Sequence, residues 1–209
     1  MHGILLDIGL GAGLAAACGL RPFLPLLLSG GLGAHDALGV SFPAGEPFHF
    51  LQSSWWLVVV AVMFVLAYAL QLALHLDPTL DPSVRAQRVE PLAAALAGLS
   101  LGAGAVLFGG TLAAHHDVWW PGVVGGLAAA ALAERVAGPV IVGARRRLAD
   151  RAAREALTIY LDVAALIAAA FVALLHPLGY VLIALLAWFS WRQRSRSSEK
   201  YAGLRILRR

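Results

Sequence analysis

Four charged residues lie inside long apolar stretches of this 209-residue chain. They are Arg21, Glu134, Arg135 and Asp162. An ionised side chain in hydrocarbon costs about 2.5–3.5 kcal/mol on insertion scales, so such residues usually pair with each other or line a polar path. Arginine suits an anionic group, and a carboxylate can carry a proton or a countercharge. These four residues therefore predict a site for a small solute or ion.

Prolines accompany these charges. Pro22 and Pro25 follow the first arginine, and Pro139 follows the adjacent glutamate and arginine. Proline lacks the backbone N–H donor and breaks or kinks a helix. Broken helices at bilayer depth are tolerated only inside protein or along a watery cavity. We therefore predict helix breaks at all three prolines, close to the candidate site.

Gln71 and His75, near one end of a predicted span, complete the set of candidate site residues. Two interpretations of Arg21 stay open. It could bind a substrate while Glu134 carries a proton, or the two could form a buried ion pair that holds their helices in register. For Asp162 the alternatives are a helix-start or interfacial acid and a proton relay.

Composition favours a membrane protein. Hydrophobic residues make up 60% of the chain and charged residues 13%, and the mean hydropathy is +0.77. The single cysteine, Cys18, excludes an internal disulfide and a cysteine-built metal site. We expect no metal, no cofactor and no enzymatic activity, because no nucleophile–base pair or nucleotide-binding motif is present. The pI of about 9.8 does not predict a nucleic-acid partner, because the basic residues flank apolar spans.

The distribution of basic residues predicts the topology. All but two of the 16 Lys and Arg residues fall in segments 77–90, 145–156 and 192–209. Cytoplasmic loops carry such residues, and a span needs about 20 apolar residues. Pro177 divides the last apolar run. The predicted spans are 4–28, 54–76, 91–114, 119–144, 157–175 and 178–191.

The predicted fold class is therefore all-α, a polytopic helical membrane bundle of about six transmembrane helices. Both termini would lie on the cytoplasmic side of a bacterial inner membrane. Residues 1–191 would form one transmembrane domain, and 192–209 a basic cytoplasmic tail. We expect Arg145, Arg146, Arg147 and the tail to contact anionic lipid headgroups. Small-residue helix faces are also compatible with a homo-oligomer.

A short internal similarity suggests a further hypothesis. The run Gly13–Ala17 recurs as Gly126–Ala130, in a register that places Arg21 opposite Glu134. Three spans per half would make this a 3+3 inverted repeat, an arrangement that many secondary transporters use around a midplane site. Five matches of Ala, Gly and Leu also arise by chance in a sequence with this composition, so both explanations stay open.

Three parts of the chain carry a family resemblance: the Gly-rich run 13–25, the segment 76–94 with its acidic residues, and Leu161-Asp162 followed by His176-Pro177 and the basic tail. They resemble a bacterial family of multi-spanning integral membrane proteins that is described only as a domain of unknown function. The resemblance implies a membrane fold and no established activity. The chain departs from that pattern in the second span, where Gln71 and His75 stand in place of an acidic residue.

Two functions remain in view. Charges beside helix-breaking prolines favour a small secondary transporter or permease for a small solute or ion. The alternative is a non-transporting membrane scaffold or assembly factor, in which the same charges lock the helices together.

Overall fold

The computed structural model describes residues 3–76, 82–114, 118–148 and 151–206. Over these ranges the chain forms seven α-helices and no β-strand. The helices are α1 (Ile4–Leu20), α2 (Phe23–Ala34), α3 (Ser54–Leu76), α4 (Pro82–Ala113), α5 (Trp120–Arg147), α6 (Arg151–Leu174) and α7 (Leu178–Ile206). Two short 3₁₀ turns, Ala37–Gly39 and His49–Gln52, lie in the connection between α2 and α3.

Four helices contain a stretch that is long and apolar enough, by length and composition, to cross a membrane. The stretches are Ser54–Gln71, Pro91–Ala113, Trp120–Ala144 and Glu155–Leu174. A helix rises about 1.5 Å per residue, so each can span most or all of a hydrocarbon core about 30 Å thick. The all-α class is confirmed within the described residues, and the architecture is compatible with a membrane bundle. The count of six crossings is not confirmed.

The first predicted span, 4–28, is divided into two helices at Pro22. α1 ends at Leu20 and α2 begins at Phe23, and Arg21 between them is extended, with φ −156° and ψ 122°. The residue before a proline is sterically pushed out of the α region, and Pro22 has no N–H to continue the ladder. The first apolar run therefore forms two short helices, of 17 and 12 residues.

These two helices turn back on each other. The Tyr180 hydroxyl donates to the Leu5 carbonyl at 2.6 Å, and the His176 Nε2 atom lies 3.0 Å from the Leu38 carbonyl oxygen. The start of α1 and the chain after α2 thus contact the same region around the α6–α7 turn, while Arg21 lies at the far bend. We call residues 4–34 the re-entrant hairpin, and the end of the bundle that holds the α6–α7 turn the loop end.

Close glycine contacts give the directions of α1, α4 and α5. A methyl group at Gly11 would collide with Phe108, whereas one at Gly104 would lie 3.2 Å from the Ala15 carbonyl oxygen. Residue numbers rise along α4 as they fall along α1, so these helices are antiparallel. A methyl group at Gly122 would lie 2.6 Å from the Phe108 carbonyl oxygen.

α5 is antiparallel to α4 as well, because Gly122 lies against Phe108 and Gly126 lies against Gly104. It follows that α1 and α5 run in the same direction. The segments 13–17 and 126–130 lie on these two helices. An inverted repeat requires opposite directions, so the structure contradicts this part of the repeat hypothesis.

The start of α1 and the end of α7 lie at opposite ends of the bundle, which corrects the prediction of both termini on one side. Gly9, in the first half of α1, packs at the loop end, where an added methyl group would lie 2.6 Å from the His176 carbonyl oxygen. α7 starts there and runs away from it, alongside α5, until the Gln193 side chain donates to the Val136 carbonyl at 3.2 Å. The prediction failed because the hairpin returns to its starting end, whereas a full span would have crossed to the other.

α1 lies at the centre of the bundle, packed by α4, α5, α6 and α7. Nearly every residue from Gly9 to Gly19 is buried, and its small residues allow the neighbouring backbones to approach closely. Leu10 and Leu14 pack in one buried cluster with Leu107 of α4 and Val172 of α6. The centre of the fold is therefore a helix that stops part of the way along the bundle.

Replacing Tyr180 with Phe removes the hydrogen bond that joins α7 to the first turn of α1. We expect the free energy of unfolding to fall by about 1 kcal/mol, the usual net value of one such bond. Denaturant unfolding in detergent measures this change. The matched control is Tyr160→Phe, whose side chain is 73% exposed. Equal stability of the two variants would show that the Tyr180 bond contributes nothing.

Candidate functional site

The bend of the re-entrant hairpin lies near mid-depth of the bundle. A methyl group at Gly19, just before the bend, would lie 2.7 Å from the Cα atom of Ala130 in α5, and Arg21 reaches Asp162 of α6. Both partners lie near the middle of their membrane-length stretches. The hairpin thus carries a positively charged side chain about halfway along the candidate spans.

Arg21 and Asp162 form an ion pair. The Nε atom of the guanidinium lies 3.3 Å from the Oδ1 atom of the carboxylate, and the side chains are only 16% and 12% exposed. Asp162 stands at the centre of the 24-residue helix α6, one turn after the buried Thr158. The interpretation of Asp162 as an acid near a helix start is therefore wrong. A role as a proton relay stays a hypothesis.

The predicted partner of Arg21 was Glu134, and the structure contradicts that pairing. α1 turns its Gly19 face toward Ala130 and Ala133 of α5. Arg21 follows two residues later, past the end of the helix, and turns toward α6. Glu134 is partly buried on α5 and Arg135 is exposed.

The Arg21 guanidinium retains hydrogen-bonding capacity. Its Nε atom is buried and makes no hydrogen bond within the described part of the chain, because its contact with Asp162 lacks hydrogen-bond geometry. An arginine side chain offers five N–H donors. A buried donor without an acceptor is costly, and such groups commonly mark sites that bind water or an ion. This geometry can bind an acceptor-rich anion.

Only two of the four predicted helix breaks are breaks. Pro22 separates α1 from α2, and Pro177 lies between α6 and α7. Pro25 lies in the first turn of α2, where a missing N–H costs nothing, and Ser29 donates to its carbonyl at 2.7 Å. Pro139 lies inside α5, which continues to Arg147. The predicted breaks at Pro25 and Pro139 are therefore wrong. Proline is compatible with the first turn of a helix and with the interior of a kinked helix.

The remaining predicted residues lie away from the bend. Gln71 is partly buried toward the end of α3, and Arg147 is exposed at the end of α5. The side chains of His75, Arg145 and Arg146 lie outside the described part of the structure, as does most of the basic tail.

Sequence reasoning did not select Asp7 as a site residue, although it is 2% exposed in the first half of α1. A carboxylate at the fourth position of the predicted span 4–28 was the available signal.

A cavity of about 300 Å³ adjoins the bend on the side away from the loop end. Leu20 lies at its top, and Val140 and Phe189 lie further along α5 and α7. Its lining is apolar throughout the described residues. We call the end of the bundle where α5 ends at Arg147 and α7 carries Arg192 and Arg194 the basic helix ends. The bend therefore has open space beside it in the direction of the basic helix ends.

Comparison with known proteins places the chain in a family. Residues 8–196, which include all but the first four residues of the re-entrant hairpin and both members of the ion pair, match the profile described as Domain of unknown function (DUF4126). No curated protein and no solved structure matches the chain. The match covers most of the chain, and the protein belongs to the DUF4126 family.

Proposed function

We propose that this protein is a small secondary transporter or permease of the bacterial inner membrane, and that its solute is a small anion. The observation that carries the proposal is the re-entrant hairpin, whose bend holds the Arg21 guanidinium near mid-depth. Intramembrane ionisable residues generally mark a solute or proton pathway. Broken helices that meet near the bilayer midplane are the usual binding sites of secondary transporters.

The ion pair supplies a way to exchange anions. In the observed state Asp162 neutralises Arg21 and acts as an internal anion. An incoming anion that offers several acceptor oxygens would compete for the same guanidinium. Protonation of Asp162 would weaken its hold on Arg21 and favour the solute. Anion binding would then be coupled to the uptake of a proton.

The helices around the bend support the same role. α2 begins at Phe23, so its positive N-terminal end points toward the bend and adds to the attraction of Arg21 for an anion. The apolar cavity beside Leu20 leaves room for α1 to shift relative to α5 and α7. A small displacement of the bend would open the ion pair toward the basic helix ends.

The test is anion flux in proteoliposomes of purified protein, measured as capacitive current on a solid-supported membrane and as internal acidification reported by a trapped pH-sensitive dye. The dye is needed because a monovalent anion carried with one proton moves no net charge. Rapid exchange to phosphate, sulfate, acetate or chloride provides the driving force. We expect at least one anion to give a saturable current or acidification that grows with an inward proton gradient. Replacing Arg21 with Gln together with Asp162→Asn removes both charges and keeps polar side chains at both positions. We expect it to lower that signal by at least about tenfold, because a transported anion loses the guanidinium at the bend.

Arg135→Gln is the matched control, because this exposed arginine lies on α5 and outside the ion pair. It should transport like the unaltered protein. Aqueous thiol labelling of Glu134→Cys in a Cys18→Ala background adds a test that needs no solute, and labelling would show that water reaches α5 near the bend. Absence of both current and internal acidification from the whole panel, together with full protection of this cysteine, would contradict the proposal and favour a packed membrane scaffold.

A further inference from the structure

An apolar groove runs between α2, α3 and α4 on the opposite side of the bend from the ion pair. Its volume is about 260 Å³. Pro22 and Phe23 lie at the bend end of the groove, and Trp56 lies in the first turn of α3. All of its lining residues have apolar side chains apart from the indole N–H. This groove is independent of the proposed transport site.

The groove opens sideways. Only 6% of the membrane-length stretch of α3 is buried, compared with 39% for that of α4. Val59 and Met63 on α3 and Leu99 on α4 line the mouth, and each is 40% to 43% exposed. On membrane-crossing helices such a mouth faces the lipid chains. The most accessible occupant is therefore a hydrocarbon chain from the bilayer.

Two glycines on α4 keep the groove open. Gly98 and Gly102 line it, and a methyl group built on either would have no heavy atom within 4 Å. Glycines four residues apart usually allow two helices to pack closely. Gly122 and Gly126 on α5 do so against α4. At Gly98 and Gly102 no helix fills the space, so the missing side chains create volume.

The indole N–H of Trp56 points to a second feature of the occupant. Its Nε1 atom is buried and has no hydrogen-bond partner within the described part of the chain. The ring packs edge-on against Phe50, with centroids 5.0 Å apart. A buried donor without a partner is costly and calls for an acceptor. Tryptophan at a helix end also commonly lies at headgroup level.

We propose that this groove binds one acyl chain of a membrane phospholipid, with an ester carbonyl of that lipid accepting a hydrogen bond from Trp56. The chain lies between α3 and α4, with its end directed toward Phe23 at the bend. The volume is below the 300–1,000 Å³ typical of sites for compact drug-sized ligands, and it suits part of a linear chain. A helix about 10 Å wide from a second copy does not fit inside it.

Native mass spectrometry of detergent-solubilised protein, supplied with phosphatidylglycerol as the probe, tests the proposal. We expect one retained lipid for each chain. Gly98→Leu and Gly102→Leu fill the groove and should each lower retention by at least about tenfold. Trp56→Phe keeps the aromatic ring, and losing one hydrogen bond should weaken retention by up to about tenfold. Gly138→Leu is the matched control, because a methyl group at this α5 glycine also meets no neighbour.

Normal lipid retention in both folded α4 variants would overturn the proposal. So would spectra in which the unaltered protein is a dimer, the variants are monomers, and the lipid is lost only together with the dimer. A second measurement does not depend on the folding of the variants. Diazirine-bearing phosphatidylglycerol is photo-crosslinked to the unaltered protein in vesicles. Crosslinks within 56–63 and 98–106 that unlabelled lipid competes away support the site. Uniform labelling that is not competed, matching that of exposed Val142 on α5, would reject it.

Discussion

Replacing Arg21 with Leu is expected to lower the free energy of unfolding by about 3–5 kcal/mol, because it leaves the Asp162 carboxylate buried without its cation. Asp162→Leu should have a similar cost, because it removes the carboxylate that contacts the Arg21 guanidinium. The double variant should lose much less than the sum of the two, since removing both members of a buried ion pair is often close to neutral. A double-mutant cycle, measured by denaturant unfolding in detergent, gives the coupling energy.

Arg147→Leu is the control for loss of an arginine. This side chain is exposed at the end of α5, outside the membrane-length stretch, and we expect its replacement to change the free energy of unfolding by less than about 0.5 kcal/mol. Additive losses from the two members of the pair would show that Arg21 and Asp162 do not interact. Strong coupling would show that the hairpin bend is held to α6 by charge. That link is what a solute would have to break in the proposed transport mechanism.

The membrane-length helices could be predicted from the sequence because hydropathy and helix length are local properties. The structure gives stretches that closely match the predicted spans 54–76, 91–114, 119–144 and 157–175. The helix break at Pro22 was predictable for the same reason, since the steric effect of proline acts on its immediate neighbours. Which of several prolines ends a helix does not follow from the proline alone, because a helix can also continue through one with a kink, as α5 does at Pro139.

The direction of the chain after Pro22 could not be read from the sequence. A kink that continues across the membrane and a bend that returns both begin with the same residues. The choice depends on packing between distant segments, such as Tyr180 on Leu5 and His176 on Leu38. The side of the N-terminus depended on that choice.

The partner of Arg21 was missed for a related reason. Glu134 and Asp162 are both carboxylates inside apolar helices, and nothing local distinguishes them as partners. The structure selects Asp162 because small residues bring α1 against α5 at Gly19, and Arg21 turns the other way, toward α6. The candidate residues could therefore be named from the sequence, whereas their pairing could not.

Among the described glycines, Gly179 is the one at which an added methyl group should lower the stability of the protein most. It packs directly on the backbone of α1, so that a Cβ atom there would collide with the Gly9 carbonyl oxygen and lie 2.7 Å from its carbonyl carbon and 3.2 Å from the Gly13 nitrogen. Backbone atoms of a central helix cannot move aside as a flexible side chain can. We expect Gly179→Ala to lower the free energy of unfolding by about 3 kcal/mol, at the upper end of typical overpacking costs. We expect Gly179→Val to prevent α7 from packing on α1, so that the bundle does not fold.

Thermal unfolding in detergent, followed by circular dichroism and size-exclusion chromatography, measures the loss. Gly138→Ala is the matched control, because its methyl group meets no neighbour within 4 Å. That change should stabilise the protein by up to about 1 kcal/mol, since alanine favours a helix over glycine. Wild-type stability of Gly179→Ala would contradict the packing of α7 on α1, and with it the return of the hairpin to the loop end. A loss of stability in the Gly179 variants alone would show that this contact fixes the position of the start of α1. The depth of the bend and of Arg21 in the bundle depends on that position.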